Sequence, residues 1–121
     1  MEEITLYDHE GNPIAYISPD DENTVYLWSG KPIAYLDGEN VYGFNGKHLG
    51  WFEEGIIWGH DGTKVGFIKD TLPVFAKSEP FKVFKQFKPF KAFKEFAPFK
   101  PFKSVSVSKT SLSIFLSKGE K

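Results

Sequence analysis

The chain contains neither cysteine nor arginine. Without cysteine there is no disulfide framework and no thiolate metal site, and a reducing compartment is the natural expectation. Without arginine, bidentate recognition of phosphate and guanine is removed, which makes nucleic acid the least favoured partner. Long apolar runs are missing too: no stretch approaches the roughly 18 residues of a membrane-crossing helix. The opening Met1-Glu2-Glu3-Ile4 is acidic and has no apolar core, which argues against a secretory signal. The expected location is cytoplasmic, at the inner face of the membrane if lipid is the partner.

What is present is unevenly distributed. The 121 residues carry a net charge of −1 and are 40% hydrophobic, with thirteen phenylalanines. Residues 1–72 sum to −9 and residues 73–121 to +8. A split of that size gives the basic half an acidic target: its own head, another copy, anionic lipid or nucleic acid.

Residues 1–72 repeat. Aligning Gly11, Gly30, Gly46 and Gly62 places an aromatic four residues before each: Tyr7, Tyr26, Tyr42 and Trp58. Three residues after come Ile14, Ile33, Leu49 and Val65, then the small residues Ala15, Ala34, Gly50 and Gly66, then Tyr16, Tyr35, Trp51 and Phe67. Each unit reads as a β-hairpin, with Asn45-Gly46 and Asp61-Gly62 as two-residue turns. Such a turn sets Tyr42 opposite Leu49 and puts Tyr42, Phe44, Leu49 and Trp51 on one face, with Val41, His48 and Gly50 on the other. Single hairpins are marginal in water, so four must bury their apolar faces together. The expected fold is all-β, four hairpins in a pseudo-fourfold flower or shallow barrel. The aromatic petal faces, Tyr26, Trp28, Tyr42, Phe44, Trp51 and Trp58, form one candidate binding surface.

The segments "VYLWSGKPIAYLDGENVYGFNGKHLGW" and "GHDGTKVGF" resemble the four-fold beta flower domain, a family of small bacterial β proteins of unknown function. The resemblance implies a roughly symmetric ring of petals followed by a tail of short basic and apolar repeats. It implies no catalytic residue.

Residues 73–103 form the second segment. Phe81, Phe84, Phe87, Phe90, Phe93, Phe96, Phe99 and Phe102 recur every third position, followed by Lys82, Lys85, Lys88, Lys91, Lys94, Lys100 and Lys103 at all but one. Steps of three scatter around an α-helix, and Pro89, Pro98 and Pro101 oppose one. A polyproline II rod has three residues per turn, so it lines the phenylalanines on one edge and the lysines on a second, over roughly 70 Å at about 3.1 Å per residue. These residues are the candidate binding site of the tail. An exposed phenylalanine edge needs a cover: the petals of its own head, a lipid interface with lysine on anionic headgroups, or tails of other copies.

The third segment, residues 104–121, alternates serine with Val105, Val107, Leu112, Ile114 and Leu116, which predicts a C-terminal pair of β-strands. Candidate chemistry is sparse. His9 and His60 fall at equivalent turns with Asp8 and Asp61 nearby, too few ligands for a metal site. No glycine-rich loop opens a helix, and Glu53-Glu54 point to opposite faces of a strand. The sequence points to a non-enzymatic binding module with no cofactor, no metal and no small-molecule substrate. Its expected role is peripheral attachment to an anionic membrane through the tail, or self-assembly into a homo-oligomer with the tail packed on its own or a neighbouring β domain.

Overall fold

A computed structural model describes residues 2–121. Eight strands pair antiparallel in chain order and close into a barrel: β1 (Ile4–Tyr7), β2 (Pro13–Ser18), β3 (Thr24–Leu27), β4 (Pro32–Asp37), β5 (Asn40–Gly43), β6 (His48–Glu53), β7 (Ile56–Trp58) and β8 (Lys64–Phe67). Each repeat unit is one hairpin, as its spacing predicts. The seam between β1 and β8 rests on a single paired position, Tyr7 with Phe67.

The turns differ from the two-residue type expected. In the third hairpin the Gly43 N–H donates to the Lys47 carbonyl and the Gly46 N–H to the Gly43 carbonyl. Only Gly46 of the pair Asn45-Gly46 has positive φ, at 88°. This is a three-residue loop ending in a glycine bulge. The bulge slips the register after Val41, so Tyr42 faces His48 and Val41 faces Gly50. Leu49 therefore joins Val41 in the core instead of sharing a face with Tyr42.

The repeat positions then sort by face. Inside each hairpin an aliphatic meets a small residue: Leu6 with Ala15, Val25 with Ala34, Val41 with Gly50, Ile57 with Gly66. Between hairpins an aromatic meets an aromatic on the outer face: Tyr16 with Tyr26, Tyr35 with Tyr42, Trp51 with Trp58, and Phe67 with Tyr7 across the seam. The period-2 alternation of strands makes that division possible, and cross-strand aromatic pairs each contribute about 0.2–1 kcal/mol.

The expected C-terminal strand pair is replaced by a helix, α1 (Leu112–Ser117), after a one-residue bridge of Val107 to Lys64. Leu112, Phe115 and Leu116 are buried in the barrel core. Leu112 and Phe115 lie where side chains on Gly66 and Gly50 would otherwise project, so the small residues of the last two hairpins make room for the plug. Leu112 and Leu116 of the alternation join Phe115, which lies outside it, in the i, i+3, i+4 set of a helix face, and Ser111 supplies the cap, its hydroxyl accepting from the Ile114 N–H at 3.3 Å.

Candidate functional site

Residues 73–103 contain no helix or strand. They run past the four hairpin turns in order and bind each one through backbone. Lys77, Gln86, Glu95 and Ser104 donate their N–H groups to the carbonyls of Gly11, Gly30, Gly46 and Gly62, at 2.8–3.0 Å. The donors are nine residues apart, so the true repeat is a nonad: three triplets per petal. Val83 and Ala92 add bonds to the Trp28 and Phe44 carbonyls, whereas Pro101 at the equivalent place has no N–H to give. At Gly30, whose φ is 91°, a methyl group would overlap the carbonyl oxygen of Phe84. Phe75, Phe93 and Phe102 approach the other three turn glycines in the same way. The segment is a belt around the barrel.

The lysines turn inward. Lys82 and Lys85 reach Glu3 at 2.8 and 2.6 Å, Lys88 reaches Asp21 and Glu22, Lys94 reaches Asp37, Lys100 reaches Glu39 and Glu53, and Lys103 reaches Glu53 and Glu54. On the way they cross the outer aromatics. The ammonium of Lys82 lies 4.7 Å from the Tyr16 ring centre, Lys85 5.2 Å from Tyr26, Lys91 4.3 Å from Tyr35, Lys94 5.8 Å from Tyr42 and Lys103 5.1 Å from Trp58. The attraction of ammonium for a ring face adds to that for carboxylate. The split of −9 and +8 is thus met largely within one molecule.

These pairs leave their mark on protonation. Burial alone would raise the Glu3 carboxyl, but hydrogen bonds from Lys82, Lys85 and Ser18 outweigh it and bring the pKa to about 2. Hydrogen bonds from Lys88 and Tyr26 lower Asp21, and those to Asp21 and Glu22 raise Lys88. Tyr26 is raised, first by burial and then by its bond to Asp21.

The phenylalanines turn outward. Phe75, Phe81, Phe84, Phe87, Phe90, Phe93, Phe96, Phe99 and Phe102 are each between 87% and 101% exposed. Phe and Lys lie on different sides of the segment. The lysines meet the petals, so of the three possible covers for phenylalanine the one by the head is not formed. The petal face is correspondingly inaccessible: Tyr26, Tyr42, Phe44, Trp51 and Trp58 are buried and Trp28 is half-buried.

A second feature escaped the sequence. His48, 2% exposed, sits among Tyr42, Trp51 and His60, its Nδ1 2.9 Å from His60 Nε2 and its Nε2 3.0 Å from Asn40 Oδ1. The amide oxygen accepts from Nε2–H, so Nδ1 carries the lone pair and accepts a hydrogen bond from His60 Nε2–H. Burial, then the neighbouring His60, lowers the His48 pKa to about 4. The His48 backbone N–H donates to Glu95 Oε1 at 2.7 Å, and the Glu95 carbonyl accepts from the Tyr42 hydroxyl at 2.8 Å. Glu95 is therefore the belt's most heavily anchored residue. His60 meets His48 and not His9, and among the described residues no group of three or more His, Asp or Glu is arranged to hold a metal. Beside this cluster lies a cleft of about 470 Å³, walled by the third and fourth turns, Glu95, Ser108, Thr110 and α1.

Among known proteins, a family model described as 4-fold beta flower protein matches residues 4–116. Neither the curated proteins nor the solved structures return a match.

Proposed function

This chain belongs to the 4-fold beta flower family, and on that scaffold we propose a non-enzymatic module that attaches peripherally to a lipid interface through its belt of phenylalanines. The observation that carries the reading is the opposed orientation of the two belt edges: ammonium groups spent on the barrel, rings left in solvent. Nine such rings, at about 150–250 Å² each, amount to well over 1,000 Å² of apolar surface, against the few hundred that a soluble monomer ordinarily exposes. The lysines draw toward Glu3, Asp21, Asp37 and Glu53, on the side of the barrel where hairpin joins hairpin. The phenylalanine edge faces solvent while the ammonium groups face the barrel. Ile114, on the exposed side of α1, is 56% exposed as well. A continuous row of exposed rings suits an interface, since the rings enter the acyl boundary together. Strands of three to six residues are short of the roughly 9–11 that cross a bilayer, which favours lying on the membrane.

Because the lysines are occupied, the attachment is apolar in origin and depends weakly on anionic lipid and on salt. Flotation with neutral phosphatidylcholine vesicles tests it. The full chain is expected to co-float with neutral vesicles and to gain only a few-fold with anionic ones. A Phe87→Ser/Phe96→Ser/Phe99→Ser variant is expected to bind at least tenfold more weakly with unchanged melting temperature. Absence of the full chain from both vesicle fractions ends the proposal.

Self-assembly is a second reading, favoured by the near-zero net charge, which gives little repulsion between copies. Light scattering without lipid separates it: a stable oligomer that the triple serine variant dissolves assigns the belt to another copy.

A further inference from the structure

The hairpins are unequal at two positions that the repeat leaves open. Two residues after the turn glycine stand Pro13, Pro32, His48 and Lys64; two before it stand His9, Trp28, Phe44 and His60. Phe44 is buried with its ring 5.4 Å from Tyr35, and Trp28 lies 5.2 Å from Tyr16. The first and fourth hairpins have an exposed imidazole instead, and the cleft of about 470 Å³ opens beside that of the fourth, His60. A break in local regularity that also buries a histidine is the kind of departure that concentrates at functional sites.

The charged groups of the cleft are unequally engaged. Asp61 Oδ1 accepts from the Thr63 N–H at 3.1 Å and the Thr63 hydroxyl at 2.6 Å, and Glu95 Oε1 accepts from the His48 N–H. Lys47 and Lys118 are exposed, and among the described residues neither ammonium is within ion-pair distance of a carboxylate. Leu49, Val65 and Phe115 add an apolar wall. The two ammonium groups have no protein partner among the described residues and stand next to apolar surface, whereas each carboxylate already accepts at one oxygen. At roughly 30 Å³ per water-sized group, the space admits a body of about fifteen heavy atoms.

We infer that this cleft binds a small amphipathic anion, a carboxylate or phosphate on a short apolar body, with Lys47 and Lys118 on the anionic group and the Leu49, Val65 and Phe115 wall against the rest. A site of this kind is concave with few convergent polar groups, and it does not use the exposed phenylalanines.

The test is a titration of the ¹⁵N-labelled full chain at about 0.15 M salt, near physiological ionic strength, with hexanoate, phenyl phosphate, hexylammonium and 1-hexanol. Hexanoate or phenyl phosphate is expected to shift amides at Lys47 to Leu49, Gly59 to Asp61 and along α1, with hexylammonium silent and 1-hexanol at least tenfold weaker. A response to one anion alone assigns the head group as carboxylate or phosphate. In a Lys47→Ala/Lys118→Ala variant the anion is expected to bind at least tenfold more weakly, with the melting temperature kept because both side chains are exposed and unpaired. No shift with either anion overturns the inference. So does equal binding of the cation or the alcohol, or unchanged affinity in the double variant.

Discussion

At the scale of single residues, two titrating groups and one glycine make the fold's dependence on the belt measurable. His48 titrates near 4 in the folded chain and near 6.5 when unfolded. Between those values the unfolded state holds the extra proton, so stability is complete above pH 6.5 and falls as pH drops toward 4. The loss is on the order of 2–3 kcal/mol by the unit-to-energy conversion, and urea midpoints at pH 7.5 and 4.5 are expected to reveal it in the wild type and not in His48→Gln. Glu3 adds a second, lower limb. Its folded pKa of about 2 lies below the ordinary 4.5, so its contribution is present above 4.5 and disappears as pH falls toward 2. Gly30 and Gly38 form a matched pair: both have positive φ, but only Gly30 has a belt carbonyl where a methyl group would sit. Gly38→Ala is expected to cost about 1–2 kcal/mol of backbone strain. Gly30→Ala is expected to exceed that by at least 1 kcal/mol and to loosen the belt, seen as faster hydrogen exchange at Gln86. Equal losses for the two would remove the belt contact as the reason for glycine at the turn.

At the scale of elements, α1 and the belt do different work. Leu112→Ala opens a cavity in the barrel core and is expected to cost about 2–5 kcal/mol, whereas Ile114→Ala on the exposed side of the same helix is expected to stay within about 1 kcal/mol. Chemical denaturation of the two variants distinguishes a plug from a surface ornament. The hairpins themselves were plain in the sequence, because glycine, aromatic and aliphatic positions recur at fixed offsets and each offset has one structural meaning. The loop type was not, since Asn45-Gly46 fits both a two-residue turn and the end of a bulged three-residue loop. Helix α1 was hidden because Leu112, Ile114 and Leu116 alternate like a strand while Leu112, Phe115 and Leu116 share a helix face. In the belt, the repeating Phe and Lys masked a slower rhythm carried by the third edge: Lys77, Gln86, Glu95 and Ser104. Geometry alone separated the Phe and Lys edges but left open which of them faced the barrel. That depended on where Glu3, Asp21, Asp37 and Glu53 ended up in space. His48 stands out from Pro13 and Pro32 at the same offset from the turn glycine, but its burial against His60 is legible only once the register is known.

At the scale of the whole molecule, charge complementarity and backbone hydrogen bonding hold belt to barrel together. Exposed ion pairs contribute about 0–1 kcal/mol each and are screened by salt, while bonds to the turn carbonyls are not. Raising sodium chloride from about 0.05 to 1 M, which shortens the screening length to roughly 3 Å, is expected to lower the urea midpoint modestly without releasing the belt. Complete release at high salt, seen as loss of exchange protection at Gln86 and Glu95, would assign the attachment to charge alone. The ninefold spacing has a final consequence for how the chain finds its one arrangement. Sliding the strap by one station returns a phenylalanine carbonyl to a turn glycine, so neighbouring threadings are near-degenerate, like a ratchet whose teeth are cut alike. Glu95 is the odd tooth. One notch toward the second turn its carboxylate meets Pro32, which has no N–H to donate. One of only two acids in a mainly cationic strap thereby acts as a key that disfavours a neighbouring winding.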